Sequence, residues 1–141
     1  MIILDTDIAT LLSYGKTDKL NKRIATLHKS EKLALTIITR MEMLDGRIAS
    51  VKKAADKDEL RVAMERFLQT ERLLVSFRRL NVDNAGLTHF ESLLKGKKTR
   101  KMRRTDMLIA CIALAHKTLL VTRNVNDYKN VPGLPVENWA D

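Results

Sequence analysis

Three short runs rich in aliphatic and β-branched residues, Ile2-Ile3-Leu4, residues 33–38 and residues 118–122, alternate with stretches of helical apolar spacing, and this alternation constrains the chain most. Runs this short suit strands buried on both faces better than helices, and strands separated by helices form a mainly parallel sheet. The expectation is an α/β protein with helices on both sides of a central sheet, in one domain over residues 1–141.

Local signals place the elements. Asp5-Thr6-Asp7 stops the first run and offers caps for a helix in which Ile8, Leu11 and Leu12 recur. A second helix from about Lys19 sets Leu20, Ile24 and Leu27 on one face. After the strand at 33–38, Thr39-Arg40-Met41-Glu42 has capping-box spacing and opens a further helix with Glu42 in its first turn. From about Asp58 to Leu74, Leu60, Met64, Phe67, Leu68 and Leu74 form an apolar stripe in a charged helix, the longest element expected. Residues 78–82 suggest a short strand, and Asp83 caps a helix with Leu87, Phe90 and Leu94 inward. A helix that is apolar nearly all round starts near Thr105 and belongs at the centre of the molecule. Residues 118–122 then form a buried strand, 124–128 a short turn or helix, and 131–136 a turn and an edge strand, where proline costs little.

The chain of 141 residues carries 26 Lys and Arg against 17 Asp and Glu, a formal charge of +9. Such a balance concerns partners, because it raises the local concentration of polyanions, nucleic acid first among them. Cys111 is the only cysteine and lies in the apolar run 107–115, so an intramolecular disulfide is excluded and a reducing cytoplasm is the expected location. That run is too short to span a bilayer, and no membrane association is expected.

Against this basic background three acids stand where a parallel α/β fold collects its chemistry. Asp5 follows the first strand, Glu42 the second, and Asp106 heads the apolar helix. Ligands in such folds bind beyond the carboxyl ends of the strands, so Asp5 and Glu42 face one crevice, which Asp106 joins if its helix starts at the same edge. Clustered carboxylates repel, and Mg²⁺ or Mn²⁺ relieves the repulsion while activating water and polarising a phosphoryl oxygen. Each acid also has a purely structural use: Asp5 or Asp7 as a helix cap, Glu42 as reciprocal partner of Thr39, and Asp106 as an anion at a helix N-terminus.

Four stretches carry a resemblance: Ile3-Leu4-Asp5-Thr6-Asp7-Ile8; residues 36–42, with Thr39-Arg40-Met41-Glu42; Arg104-Thr105-Asp106-Met107-Leu108-Ile109-Ala110; and Val121-Thr122-Arg123-Asn124-Val125-Asn126-Asp127-Tyr128. Together with the ending from Pro132-Gly133-Leu134 to Asn138-Trp139, they resemble the PIN-domain nucleases, and within them the VapC-type toxins of bacterial toxin–antitoxin pairs. The likeness runs from end to end, although residues 47–100 match only in helical character. It implies a PIN-like fold and an endoribonuclease dependent on Mg²⁺ or Mn²⁺, in which Asp5, Glu42 and Asp106 hold metal. Thr6, Thr122 and Asn124 would then orient water or phosphate. It also implies an RNA substrate, a cognate antitoxin protein and a homodimer. Two departures stand out: the family usually has asparagine where this chain has Asp7, and often a fourth acid where it has Asn124. Whether Asp127 substitutes, and whether one ion or two act, stay open.

Arg103 and Arg104 precede Asp106 directly and are candidates for holding the RNA backbone, within a segment (95–104) that has seven basic residues in ten. Two other functions compete. A PIN-like RNA-binding module with weak catalysis would keep the same pocket, and a haloacid-dehalogenase-like phosphatase would also begin with a strand followed by Asp-x-Asp. The phosphatase ranks low, because its Thr-Leu or Val-Leu continuation and its late Gly-Asp loop are missing.

Overall fold

In the computed structural model, which describes residues 1–15 and 17–141, the strands are β1 (Ile2–Leu4), β2 (Leu33–Thr36), β3 (Arg78–Leu80), β4 (Leu119–Val121) and β5 (Val136–Glu137). They form one five-stranded sheet in the order β3-β2-β1-β4-β5, and every pairing is parallel. The chain builds outward from β1 to β3, then returns to the other side of β1 for β4 and β5. The strand order therefore reverses between β1 and β4, and this is where an open parallel sheet parts at its carboxyl edge to leave a crevice.

The helices are α1 (Thr6–Tyr14), α2 (Asp18–Ala25), α3 (Ile37–Lys53), α4 (Lys57–Ser76), α5 (Asn84–Lys95), α6 (Arg104–Ala115) and α7 (Val125–Tyr128). Because strand side chains alternate between faces, β1 serves two cores. Ile3 packs with Leu120, Leu80 and the buried face of α6, including Met107, Ala110 and Cys111. Ile2 and Leu4 pack on the opposite side with Ile8, Leu20, Met43, Leu74, Val121 and Trp139. The result is the expected three-layer α/β/α arrangement, with the apolar helix α6 enclosed. Cys111 is wholly buried there, and burial pushes its thiol up to about 11, which leaves it inert packing.

Three expectations change. On α5 the inward leucine is Leu93, whereas Leu87 and Leu94, expected inward, are exposed. The second strand ends at Thr36, whose hydroxyl accepts the Thr39 amide at 3.1 Å and starts α3 at Ile37. Ile37 and Ile38 are thus helical, Thr39 is buried inside the helix, and Glu42 lies beyond the first turn. β-branched composition suggested a longer strand, but a side-chain cap at Thr36, three residues before Thr39, prevails. The stripe on α4 is also only partly inward. Ala63, Thr70 and Leu74 are buried, whereas Leu60, Met64 and Leu68 are exposed. The inward side of the α3–α4 hairpin carries Met43 and Leu74, with Leu44 and Leu73 packed against them, rather than the expected stripe.

The basic segment between α5 and α6 is a fixed turn. The Thr99 hydroxyl, buried, donates to the Leu93 carbonyl at 2.6 Å, and the Arg100 amide donates to the Gly96 carbonyl at 2.9 Å. Gly96 has an ordinary extended backbone, so its requirement is steric: a Cβ there would collide with Thr99 Oγ1. Gly96→Ala is therefore expected to lower stability by about 1–3 kcal/mol, the cost of overpacking together with a strained buried hydrogen bond, or a few degrees of melting temperature. Thermal melts check this, and the same change in a Thr99→Ala background is expected to cost much less.

Candidate active site

β1 ends at Leu4, and Asp5 follows in extended conformation before α1 begins, so its side chain keeps the strand alternation and points to the same side as Ile3, toward α6 and α7. Across the switch point, Leu4 pairs with Val121, which puts Thr122 beside Asp5. The wholly buried Thr122 hydroxyl donates to Asp5 Oδ2 at 2.8 Å, and the Tyr128 hydroxyl donates to the same oxygen at 3.1 Å. Asp5 Oδ1 accepts the Thr6 amide at 2.8 Å. Asp5 is thus a helix cap and also the buried floor of the crevice.

Two further acids reach the crevice from other elements. Asp106, in the first turn of α6, has Oδ1 3.5 Å from the Tyr128 hydroxyl, so one phenol stands between the Asp5 and Asp106 carboxylates. Glu42 arrives from α3, and its Oε1 accepts the Thr6 hydroxyl at 2.7 Å. A carboxylate only accepts, so Thr6 spends its proton on Glu42. Its oxygen then accepts from Thr39 at 2.9 Å, and Thr39 in turn accepts from Thr36 at 3.4 Å. Glu42 therefore does not reciprocate a capping box; a chain of threonine hydroxyls aims it into the crevice instead. Asp5, Thr6, Asp7, Glu42, Arg103, Asp106, Arg123 and Asn124 all line one cleft of about 380 Å³.

The remaining candidates divide. Arg103 is largely exposed and its guanidinium sits 3.5 Å from Glu42 Oε2, at the mouth of the cleft. Arg104 faces elsewhere, with its guanidinium 4.9 Å from the centre of the Phe90 ring, and it does not line the cleft. Thr122 is sealed beneath Asp5, so it positions that carboxylate and cannot touch a ligand directly. Asn124 lines the cleft and donates from Nδ2 to Asp7 Oδ2 at 3.1 Å.

No family model matches the chain. Individual proteins do. Ribonuclease VapC2 of Rickettsia felis is 26% identical over 140 residues, spanning 97% of this chain and 96% of that protein. Ribonuclease VapC1 of Haemophilus influenzae is 26% identical over 141 residues, with 98% and 97% covered. The structure of VapBC-1 from nontypeable Haemophilus influenzae superposes with a TM-score of 0.80 at 23% identity over the full length of both chains. That of VapBC2 from Rickettsia felis, bound to a DNA fragment from its promoter, gives 0.80 at 23% identity over 99% of each chain. The chain is similar over nearly its whole length to these ribonucleases and shares the fold of the solved VapBC chains.

The cleft is electrostatically uncomfortable without a cation. Burial raises Asp5, although the hydrogen bonds from Thr122, Thr6 and Tyr128 oppose the shift. Asp7 is pushed up to about 6 by burial and then by the charge on Asp5. Asp106 is raised by burial and by Asp5, partly offset by Arg103, with Asp127 and Glu42 adding repulsion. Burial and the same acids hold Tyr128 neutral, which keeps it a donor. Asp7 Oδ1 is buried and finds no hydrogen-bond partner among the described residues.

The donor set fits a hard divalent ion, being all carboxylate and hydroxyl oxygen with one orphaned carboxylate oxygen. Among the described residues, however, no three His, Cys, Asp or Glu side chains converge on one point. That spacing suits a hydrated Mg²⁺, which takes one or two carboxylates directly and keeps several waters, better than an ion enclosed wholly by protein. Residues that the sequence left out are Tyr128, Thr39 and Arg123, whose amide donates to Asp7 Oδ2 at 3.0 Å. Tyr128 follows the Thr122-Arg123-Asn124 turn closely, and that nearness was its only signal.

Asp7 generates a prediction about pH. A carboxyl whose folded pKa lies above its unfolded value binds protons more tightly when folded. Its contribution to stability is therefore complete below about pH 4 and is lost as pH rises through about 6. In EDTA, Asp7→Asn is expected to melt above wild type at pH 7, with the advantage shrinking toward zero by pH 4. An advantage independent of pH in melts across that range would contradict this.

Proposed function

We propose that this chain is an endoribonuclease dependent on a divalent metal ion, forming one nuclease domain, and the toxin of a toxin–antitoxin pair. The observation that carries the proposal is the convergence of Asp5, Glu42 and Asp106 from β1, α3 and α6 on one cleft at the switch point, in a chain of net charge +9. The names of the relatives, Ribonuclease VapC1 and VapC2, support ribonuclease over other phosphodiesterases.

Asp5, Glu42 and Asp106 would hold Mg²⁺ or Mn²⁺, with Asp7 adjacent. When bound, the ion supplies charge neutralisation and Lewis-acid polarisation of a phosphoryl oxygen. The protein's part is to fix the acids before substrate arrives. Thr122, Tyr128 and the Thr6 amide orient Asp5, and the threonine chain orients Glu42. Arg103, now paired with Glu42, is free to turn outward to a phosphate, a swap of one anion for another at little electrostatic cost. Arg123 lines the same cleft, although Asp141 holds its guanidinium at 3.0 and 3.2 Å. The fixed basic turn before α6 supplies phosphate attraction without sequence preference.

The phosphatase alternative needs Asp5 as an exposed nucleophile. Asp5 is only 5% exposed, and both its oxygens accept hydrogen bonds. For partners, the solved relatives are VapBC complexes and Rickettsia felis VapBC2 is bound to promoter DNA. The exposed Leu60, Met64 and Leu68 on α4, with Ile48 on α3, supply the apolar surface that an antitoxin or a second copy would cover.

The direct test is cleavage of RNA by purified protein. Activity is expected with Mg²⁺ or Mn²⁺ and none in EDTA. Asp5→Asn, Glu42→Gln and Asp106→Asn are each expected to lower the rate by at least about two orders of magnitude while circular dichroism stays that of the folded protein. Folded variants that all cleave normally would overturn the assignment.

A further inference from the structure

A second groove, of about 200 Å³, opens directly off the carboxylate cleft between α1 and α3, and Thr6, Thr10 and Glu42 belong to the walls of both. Away from Glu42 it is lined by Tyr14, Met43, Gly46 and Arg47. Tyr14 is 51% exposed, whereas the other aromatic side chains among the described residues are half-buried or buried. The Arg47 guanidinium lies 5.7 Å from the centre of the Tyr14 ring, and its Nε donates to the buried Thr70 hydroxyl at 3.0 Å. No carboxylate among the described residues pairs with it.

Gly46 is the independent clue. It lies inside the long helix α3, where glycine is a poor choice by conformational entropy. Its backbone is helical, and a Cβ built there would meet nothing within 4 Å. Neither a dihedral angle nor close packing therefore calls for glycine. What its missing side chain provides is open space along a groove that ends at Glu42.

We infer that this groove is a nucleobase subsite, in which a base next to the scissile phosphate lies against Tyr14, Met43 and Arg47 while its phosphate reaches the carboxylates. The inference rests on the ribonuclease reading. A half-exposed aromatic ring held by a pinned cation offers both stacking and cation–π attraction to any base, and base–aromatic stacking is tolerant of sequence. A base seated there must leave its own stack, so the subsite selects unpaired RNA. Arg47 pairs with no acid among the described residues, and the polyanionic strand supplies negative charge.

The test is steady-state cleavage of an unstructured RNA with Mg²⁺, comparing wild type with Tyr14→Ala, Tyr14→Phe and Gly46→Ala. Tyr14→Ala is expected to lower kcat/KM about tenfold, mostly through KM, and Tyr14→Phe to retain most of it. Gly46→Ala is expected to lower kcat/KM while raising the melting temperature, a combination that a purely structural role would not give. In a series of substrates with one abasic ribose at successive positions, wild type loses a similar factor at one position beside the cut, and Tyr14→Ala is insensitive at that position only. If wild type cleaves but Tyr14→Ala shows the same kcat/KM and the same abasic profile, the subsite is wrong and the nuclease stands. If wild type cleaves no RNA, both fall.

Discussion

Everything in the site hangs on the Asp5 carboxylate, a group held almost out of solvent at the one point where the strand order of the sheet reverses. Removing a carboxylate from water is costly unless its oxygens are satisfied. Here an amide and two hydroxyls satisfy them, from α1, the end of β4 and α7. Those donors are in place because β1 and β4 pair in register, so the sheet that makes the core also aims the acid. Asp7, Glu42 and Asp106 then gather around a charge that burial has already made unfavourable. The molecule meets that repulsion with hydroxyl donors and with Arg103 at Glu42, and the same arrangement is what a divalent cation would relieve.

The cleft and the groove beside it divide the labour in a way that follows from their chemistry. Acids and hydroxyls occupy the floor at the switch point, where the proposed function puts a metal ion and a phosphate. An aromatic ring from α1 and a thioether and a pinned guanidinium from α3 line the groove beside it, which the proposed subsite gives to a base. The single helix α3 contributes Glu42, Met43, Gly46 and Arg47, so its start point controls both regions. The Thr36 cap, by beginning the helix at Ile37, sets the rotation that turns these residues to one side.

Much of this was legible in the sequence. Asp5 and Glu42 were placed by the rule that parallel strands deliver ligands at their carboxyl ends, Asp106 only on the condition that its helix starts at the same edge, and the helix-spaced apolar residues located α1 and α2, whereas on α5 they picked out the helix but not its buried face. What could not be read was whatever depended on rotation about a helix axis or on contacts distant in sequence. Arg103 and Arg104 are neighbours, yet α6 sends one toward Glu42 and the other onto Phe90. Thr122 looked like a ligand-facing residue and is buried beneath Asp5. Tyr128 is buried in the core, and contacts distant in sequence place its hydroxyl between two acids. The α4 stripe looked inward because periodicity reports an apolar face without saying what covers it.

The central claim is that the acids form a self-repelling pocket built for a cation, and thermal melts of wild type and Asp106→Asn test it most directly. Each protein is melted near neutral pH in EDTA and again in saturating Mn²⁺. A ligand present at about 100 times its dissociation constant adds roughly 2.7 kcal/mol, a shift of several degrees for a domain of this size. Asp106→Asn is expected to melt above wild type in EDTA, because a raised and repelled carboxylate has been removed, and to gain little or nothing from Mn²⁺. A variant that melts below wild type in EDTA, as loss of a favourable charge at the α6 N-terminus would cause, or that gains as much from Mn²⁺ as wild type, would contradict that claim.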